Sequence, residues 1–256
     1  MTSTPTSAVD GLDAYARADL YEAIYRGRGK DYARESEIVV DLIRERVPTA
    51  RRLLDVACGT GSHLRYFAGE FAETAGVDLT EEMLELARAV LPGVPLWQGD
   101  MRGFDLGRTF DAITCMFSAV GYLADPGELN ATLETFARHL EPGGVVVVEP
   151  WWTPQKFLPG YVQGDVVSVD GRTISRVSHT VPAPDRPVTP ASRMEVHWTV
   201  AEPGSGIGHH VDVHTMTLFT HEEYLEAFTR AGLTAECADH ELGGPGLYVG
   251  VLGAGR

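Results

Sequence analysis

The sequence predicts an α/β protein whose doubly wound, mainly parallel sheet carries an antiparallel β insert late in the chain. Three observations predict it. From Leu53 onward, short apolar runs alternate with amphipathic helical patterns for roughly 100 residues. The first run, Leu53-Leu54-Asp55-Val56-Ala57-Cys58, passes through Gly59-Thr60-Gly61 straight into a helical pattern. A first parallel strand hands over to a first helix in this way at a nucleotide-type site. After Trp152 the period switches to two, with β-branched residues between Gly and Pro.

Residues 1–11 are rich in Ser, Thr and Pro, with neither a basic start nor an apolar stretch, so a disordered lead-in is expected rather than a secretory signal. Residues 13–26 predict a helix carrying Tyr15, Tyr21 and Tyr25, of which the last two share a face. Residues 31–47 predict a second, amphipathic helix stopped by Pro48. Strands are then expected at 53–57, 74–77, 94–98 and 110–116, with helices at 62–71 and 81–90, the latter capped by Thr80. Asp125-Pro126-Gly127-Glu128 opens another helix, with Asp as cap, Pro at the first position and Glu three residues on. That helix is expected to end at Glu141-Pro142-Gly143-Gly144, before the all-apolar run 145–148 of a central parallel strand.

The insert, 151–217, should sit on the carboxyl side of the sheet, with strands at 165–169, 172–181, 192–201 and 208–219 and a Pro-rich loop at 181–190. Thr220 and Glu223 form a capping box for a helix ending at Ala231-Gly232. A hairpin of 233–240 and 246–252 closes the sheet, so 12–150 and 218–256 form one domain with a helical cap at its start.

A formal charge of −15, from 21 Lys and Arg against 36 Asp and Glu, disfavours a nucleic-acid partner. No apolar run approaches the roughly 20 residues of a membrane-spanning helix. Three distant cysteines, Cys58, Cys115 and Cys237, point to a reducing cytoplasm rather than a disulfide framework.

The glycine turn alone is weak evidence, because Leu64 stands where a dinucleotide fingerprint has its third glycine. The acidic residues say more. Asp55 precedes the turn, Asp78 ends the second strand and Asp100 follows the third, so three carboxylates line one crevice. That set suits S-adenosylmethionine. Asp78 can accept both ribose hydroxyls, Asp100 the adenine amino group beside a donating Met101 N–H, and Asp55 can help to hold the cationic methionine end. The competing reading is an NAD-type site, or a helix cap at each Asp.

Leu53 through Gly61, then Val77-Asp78-Leu79, then Gln98-Gly99-Asp100-Met101-Arg102, resemble the class I S-adenosylmethionine-dependent methyltransferases. More narrowly, Arg28-Gly29-Lys30-Asp31-Tyr32, Cys115-Met116-Phe117-Ser118, Glu149-Pro150-Trp151-Trp152, Arg176-Val177-Ser178-His179, Met194-Glu195-Val196-His197 and Thr217-Leu218-Phe219 resemble the TDP-aminodeoxysugar N,N-dimethyltransferases of desosamine and mycaminose type. The resemblance runs from about Tyr21 to the end. It implies a seven-stranded Rossmann-like methyltransferase sheet, S-adenosylmethionine as cofactor, and a TDP-linked amino sugar of an antibiotic pathway as substrate. It assigns Tyr32, Asp55, Ala57, Gly59, Gly61, Asp78, Leu79, Asp100, Met101 and Met116 to the cofactor. Tyr15, Tyr21, Trp151, Trp152, Arg176 and His179 go to the substrate, Arg176 as a diphosphate contact. A homodimer is the assembly in view.

Two departures are visible. Ser118-Ala119 stands where two serines are usual, and Gly243-Gly244-Pro245-Gly246-Leu247-Tyr248 replaces Ser-Gly-Arg-Gly-Leu-Phe, which removes an arginine. Methyl transfer to an amine is an in-line displacement that depends on positioning and desolvation. Tyr122 and Glu149 are the candidates for orienting the amine. His210, Asp212 and His214 share one strand face and with His197 or His179 could ligate a metal, but the chemistry needs none, and no metal is expected. Methylation of another small molecule, or cofactor binding without catalysis, are the alternative functions.

Overall fold

The computed structural model describes residues 18–183, 185–186, 189–239 and 244–254. The elements run α1 (Ala18–Gly27), α2 (Tyr32–Arg46), β1 (Arg52–Val56), α3 (Leu64–Glu70), β2 (Glu73–Asp78), α4 (Glu81–Val90), β3 (Leu96–Gln98) and β4 (Phe110–Cys115). A 3-10 turn (Ala119–Tyr122) precedes α5 (Pro126–Arg138) and β5 (Leu140–Val148). The insert holds β6 (Tyr161–Val169), β7 (Arg172–Pro182), β8 (Ala191–Glu202) and β9 (Gly206–Thr217); α6 (His221–Arg230), β10 (Leu233–Ala238) and β11 (Leu247–Leu252) follow.

Seven strands form one sheet in the order β10-β11-β5-β4-β1-β2-β3. The pairs from β5 to β3 are parallel, while β11 is antiparallel to both β5 and β10. The pleat divides the apolar runs between two cores. Leu54, Val56, Ile113, Val146 and Val148 face Leu129, Leu133 and Phe136 of α5 and Phe228 of α6. Leu53, Ala112, Val145 and Val147 face Val39 and Ile43 of α2 and Phe67 of α3. Because the sheet is covered on both sides, its strands read as continuous apolar runs.

Several boundaries moved for physical reasons. Only Leu96–Gln98 of the expected third strand pairs, since Pro95 has no N–H to give the ladder. The helix expected to reach Glu141 ends at Arg138, and β5 starts at Leu140. Its register slips between Phe110 and Ala112, where Gly143 takes φ 82°. A Cβ on Gly144 would come within 3.0 Å of the Asp111 carbonyl, so the bulge needs glycine. Thr80 stands at the N-cap of α4, but its hydroxyl turns back to Asp78. The caps at Asp125 and Thr220 form as expected, the latter as a full capping box.

The insert is a sheet of its own, antiparallel in the order β6-β7-β8-β9. Leu20, Ala23 and Ile24 of α1 pack against Val167, Ile174, Val196, Trp198 and Val200 of that sheet. The approach at Gly27 is close: a Cβ there would meet Val167 Cβ at 2.7 Å. Arg28 pairs with Asp165 at 3.3 Å, and Arg26 with Asp170. The expected disordered lead-in and Tyr15 lie outside the described residues.

Candidate active site

The carboxyl ends of β1, β2, β3 and β4 open on one cavity of about 160 Å³. At its floor the chain leaves β1 with Ala57 and Gly59 at φ 56° and 54°. Gly59 N–H donates to Asp78 Oδ2 at 2.8 Å, while the Thr80 N–H and hydroxyl donate to Oδ1 at 3.0 Å. Burial nevertheless leaves Asp78 above its ordinary pKa. Asp55 is also buried and accepts from the Thr114 hydroxyl at 2.8 Å; burial pushes its carboxyl up to about 6. Asp100 differs. Arg102 grips it with Nε at 2.9 Å and Nη2 at 2.5 Å, and this clamp holds the carboxyl below its ordinary value.

Tyr32, Ala57, Gly59, Leu79, Met101 and Met116 line this cavity with the three aspartates. Gly61 does not. Its φ of 82° turns the chain, and a Cβ there would meet Leu91 Cδ1 of the α4 cap at 2.6 Å. The structure thus gives Gly61 a turn and packing role and does not bring it to the cavity lining.

A group with no place in the sequence reading stands on the wall. His63, buried at the start of α3, brings Nε2 to 2.8 Å from Glu35 Oε2, and Lys30 Nζ holds Glu35 Oε1 at 2.5 Å. Burial raises the Glu35 carboxyl, but the hydrogen bonds from His63 and Lys30 outweigh it and leave the group below its ordinary value. Tyr32 packs its ring edge-on to His63 at 4.9 Å, and burial pushes its phenol well up.

A second cavity of about 620 Å³ lies between the insert, α1 and the chain after β5. Where it lines this cavity, the inner face of the insert adds polar groups to its apolar side chains. Arg176, Ser178 and Thr180 of β7 point in, as do Asp212 and His214 of β9. Strand alternation puts His179 on the outer face, exposed, so the structure does not bring it to this cavity with Arg176. Trp151 and Trp152 form part of the wall, and Trp151 Nε1 donates to the Ser192 hydroxyl at 3.1 Å. Arg176 is 5% exposed, gives one N–H to the Ser178 hydroxyl at 3.2 Å, and lies 5.8 Å from the Trp198 ring centre. Among the described residues no carboxylate lies within 4.0 Å of it.

Tyr21, Phe117 and Tyr122 line both cavities. They form the joint between them. Phe117 and Ser118 both take left-handed φ, 58° and 57°, which costs about 1–3 kcal/mol each unless the surroundings hold it. The surroundings do. Glu149 Oε2 accepts the Phe117 N–H at 2.7 Å, Ser118 donates to the Pro150 carbonyl at 2.8 Å, and Lys30 Nζ sits 4.4 Å from the centre of the Phe117 ring. Glu149 thus lines the second cavity while bracing the joint; burial pushes its carboxyl up, against the nearby Lys30. Tyr122 Oη lies 2.8 Å from His214 Nδ1.

Residues 53–144 match the family described as "Methyltransferase domain". The dTDP-3-amino-3,4,6-trideoxy-alpha-D-glucopyranose N,N-dimethyltransferase of Streptomyces venezuelae is 56% identical over 234 residues, 91% of this chain and 97% of the relative. The chain belongs to the sugar N-methyltransferases. The dTDP-4-amino-2,3,4,6-tetradeoxy-D-glucose N,N-dimethyltransferase of Saccharopolyspora spinosa is 45% identical, over 98% of this chain and 97% of its own length. The S-adenosylmethionine-bound amino pentose methyltransferase CalS10 of Micromonospora echinaspora superposes with a TM-score of 0.82 at 47% identity, covering 91% and 96% of the two chains.

This sugar N-methyltransferase therefore uses S-adenosylmethionine, and its first cavity fits that group. Three carboxylates suit a sulfonium-bearing nucleoside, and the apolar wall of Leu79, Met83, Met101 and Met116 suits an adenine ring. A pyrophosphate would meet the wrong charge. No helix is long and apolar enough to cross a membrane among the described residues.

Proposed function

We propose that this chain transfers two methyl groups in succession to the amino group of a TDP-linked aminodeoxysugar in antibiotic biosynthesis. One observation carries the proposal: the cofactor cavity adjoins a larger cavity that buries Arg176, which has no carboxylate within 4.0 Å among the described residues. A buried guanidinium calls for an anion, and a nucleoside diphosphate supplies one. Trp151 and Trp152 offer flat walls for the base or sugar, and Tyr21 and Tyr122 stand where the amine would meet the methyl donor. The N,N-dimethyltransferase names of the relatives support the same substrate class.

Bound S-adenosylmethionine supplies the methyl group on a sulfonium. Asp78 and Asp100 would hold its ribose and adenine, and Asp55, with Tyr32, its methionine end. Phe117, Tyr21 and Tyr122 exclude water at the joint and fix the direction from which a neutral amine approaches. Glu149 steadies that joint through the Phe117 N–H. Cys58, Cys115 and Cys237 are free thiols, which favours the cytoplasm. Val162, Val166, Val177 and Val211 stand exposed on the outer face of the insert, and a second copy of the chain is the partner this face favours.

Incubation with methyl-labelled cofactor and TDP-linked 3-amino and 4-amino sugars, read by product mass, tests the proposal. Two added methyl groups are expected. Transfer only to unlinked amines or to hydroxyls would replace the substrate class, and tight cofactor binding without transfer would leave a binding protein.

A further inference from the structure

Tyr122 and His214 are 92 residues apart in sequence and meet Oη to Nδ1 at 2.8 Å. Tyr122 closes the 3-10 turn after β4, and His214 stands on the inner face of β9, opposite Met194 of β8. Their ring centres are 6.1 Å apart and tilted by 56°, so the rings do not stack and the edge contact defines the pair. Both side chains line the acceptor cavity; Tyr122 lines the cofactor cavity as well. The phenol thus sits at the joint, and the imidazole lies behind it.

An amine that attacks a methyl group must keep its lone pair free. Groups around it should accept its N–H bonds rather than donate to its nitrogen. A phenol that lacks another acceptor would give its proton to that nitrogen and so mask the nucleophile. We propose that His214 is a positioning residue: its Nδ1 accepts the Tyr122 hydroxyl proton and leaves the phenol oxygen's lone pairs to receive an N–H of the acceptor amine. The inference rests on the amine-methylation function proposed above.

The surroundings favour the neutral imidazole that this needs. Burial presses His214 below its ordinary value; the Asp212 carboxylate on β9 opposes the shift, and the Arg176 guanidinium on β7 adds to it. Met194, across on β8, and Met216, further along β9, add no charge. A neutral imidazole carrying its proton on Nε2 presents Nδ1 as an acceptor.

Nitrogen NMR of the full chain without substrate tests the tautomer directly. His214 should carry its proton on Nε2 near neutral pH and titrate below an ordinary histidine, and Tyr122→Phe should raise that titration because a donor to the neutral form is lost. A proton on Nδ1 near neutral pH, or a titration that Tyr122→Phe leaves unmoved, would overturn the inference. Kinetics then tests the consequence. With the amino-sugar acceptor, His214→Phe and Tyr122→Phe should each lower kcat about 10-fold with acceptor KM little changed, and the double variant should be no slower than either. His214→Asn, whose Oδ1 can accept in place of Nδ1, should recover most of the rate. Losses that multiply in the double variant, or full rate in His214→Phe, count against it. If His214→Phe does not fold, His214→Asn and the tautomer measurement still decide. Absence of methyl transfer by the wild-type enzyme would defeat the amine-methylation function itself, an outcome separate from all of these.

Discussion

The two cavities are finished to different degrees. In the cofactor cavity the carboxylates already have donors, two of these four within two residues in the chain: Asp78 from Gly59 and Thr80, Asp100 from Arg102, Asp55 from Thr114 across the adjacent strand. The acceptor cavity is assembled from distant pieces, from Tyr21 to Pro245, and among the described residues no carboxylate lies within 4.0 Å of its Arg176 guanidinium. The first is preorganised by its own chain, whereas the second waits for its ligand to balance a charge. Changes in the two cavities should therefore separate cleanly, one acting on cofactor affinity and the other on acceptor affinity.

Arg176→Met gives the largest expected effect. It removes a buried cation and keeps much of its volume, so KM for a TDP-amino sugar should rise about 100-fold. Affinity for S-adenosylmethionine, measured by calorimetry, should stay within a factor of about two. Weakening of both ligands together would mean that the two cavities act as one energetic unit. Asp78→Ala probes the other side. It should weaken the cofactor about 30-fold, since a hydrogen bond to a charged group contributes about 1.5–3 kcal/mol and the variant also frees the Gly59 loop. Unchanged affinity would remove Asp78 from the cofactor site.

The same division explains what the sequence disclosed. Asp55, Asp78, Asp100 and the glycine turn were legible because strand ends and turns are local, and the capping residues were legible for the same reason. His63 was not, because its pairing with Glu35 joins residues 28 apart through side chains alone. Phe117 and Ser118 carried no signal either; neither residue type announces a left-handed backbone as glycine does. On the insert the resemblance put both Arg176 and His179 at the substrate, yet residues three apart on a strand face opposite ways. Arg176, Ser178 and Thr180 face inward while Val177 faces water, so on this stretch hydrophobicity does not mark the inner face and could not place His179 on the outside. At Gly61 the sequence does not show that the Leu91 side chain is what constrains the glycine.

The smallest effect is the most diagnostic of how the cofactor cavity treats charge. Asp55 has its carboxyl raised from 3.8 to about 6, first by burial and against the pull of His63 and the Thr114 hydroxyl. Between those values the folded protein keeps a proton that the unfolded chain has released. Its contribution to stability is therefore present below about pH 4 and lost as pH rises toward 6. Ligand affinity should run the other way if Asp55 holds the cationic methionine end, as proposed, because only the ionised carboxylate attracts it. Cofactor affinity should increase a few-fold between about pH 5 and pH 7, and binding in that range should release protons, seen as a buffer-dependent calorimetric enthalpy. Asp55→Asn should flatten the dependence and lower the plateau. A wild-type affinity that is flat across the range, or that falls as pH rises, would mean that Asp55 serves only to hold β1 against Thr114 of β4 and contributes no charge to the ligand.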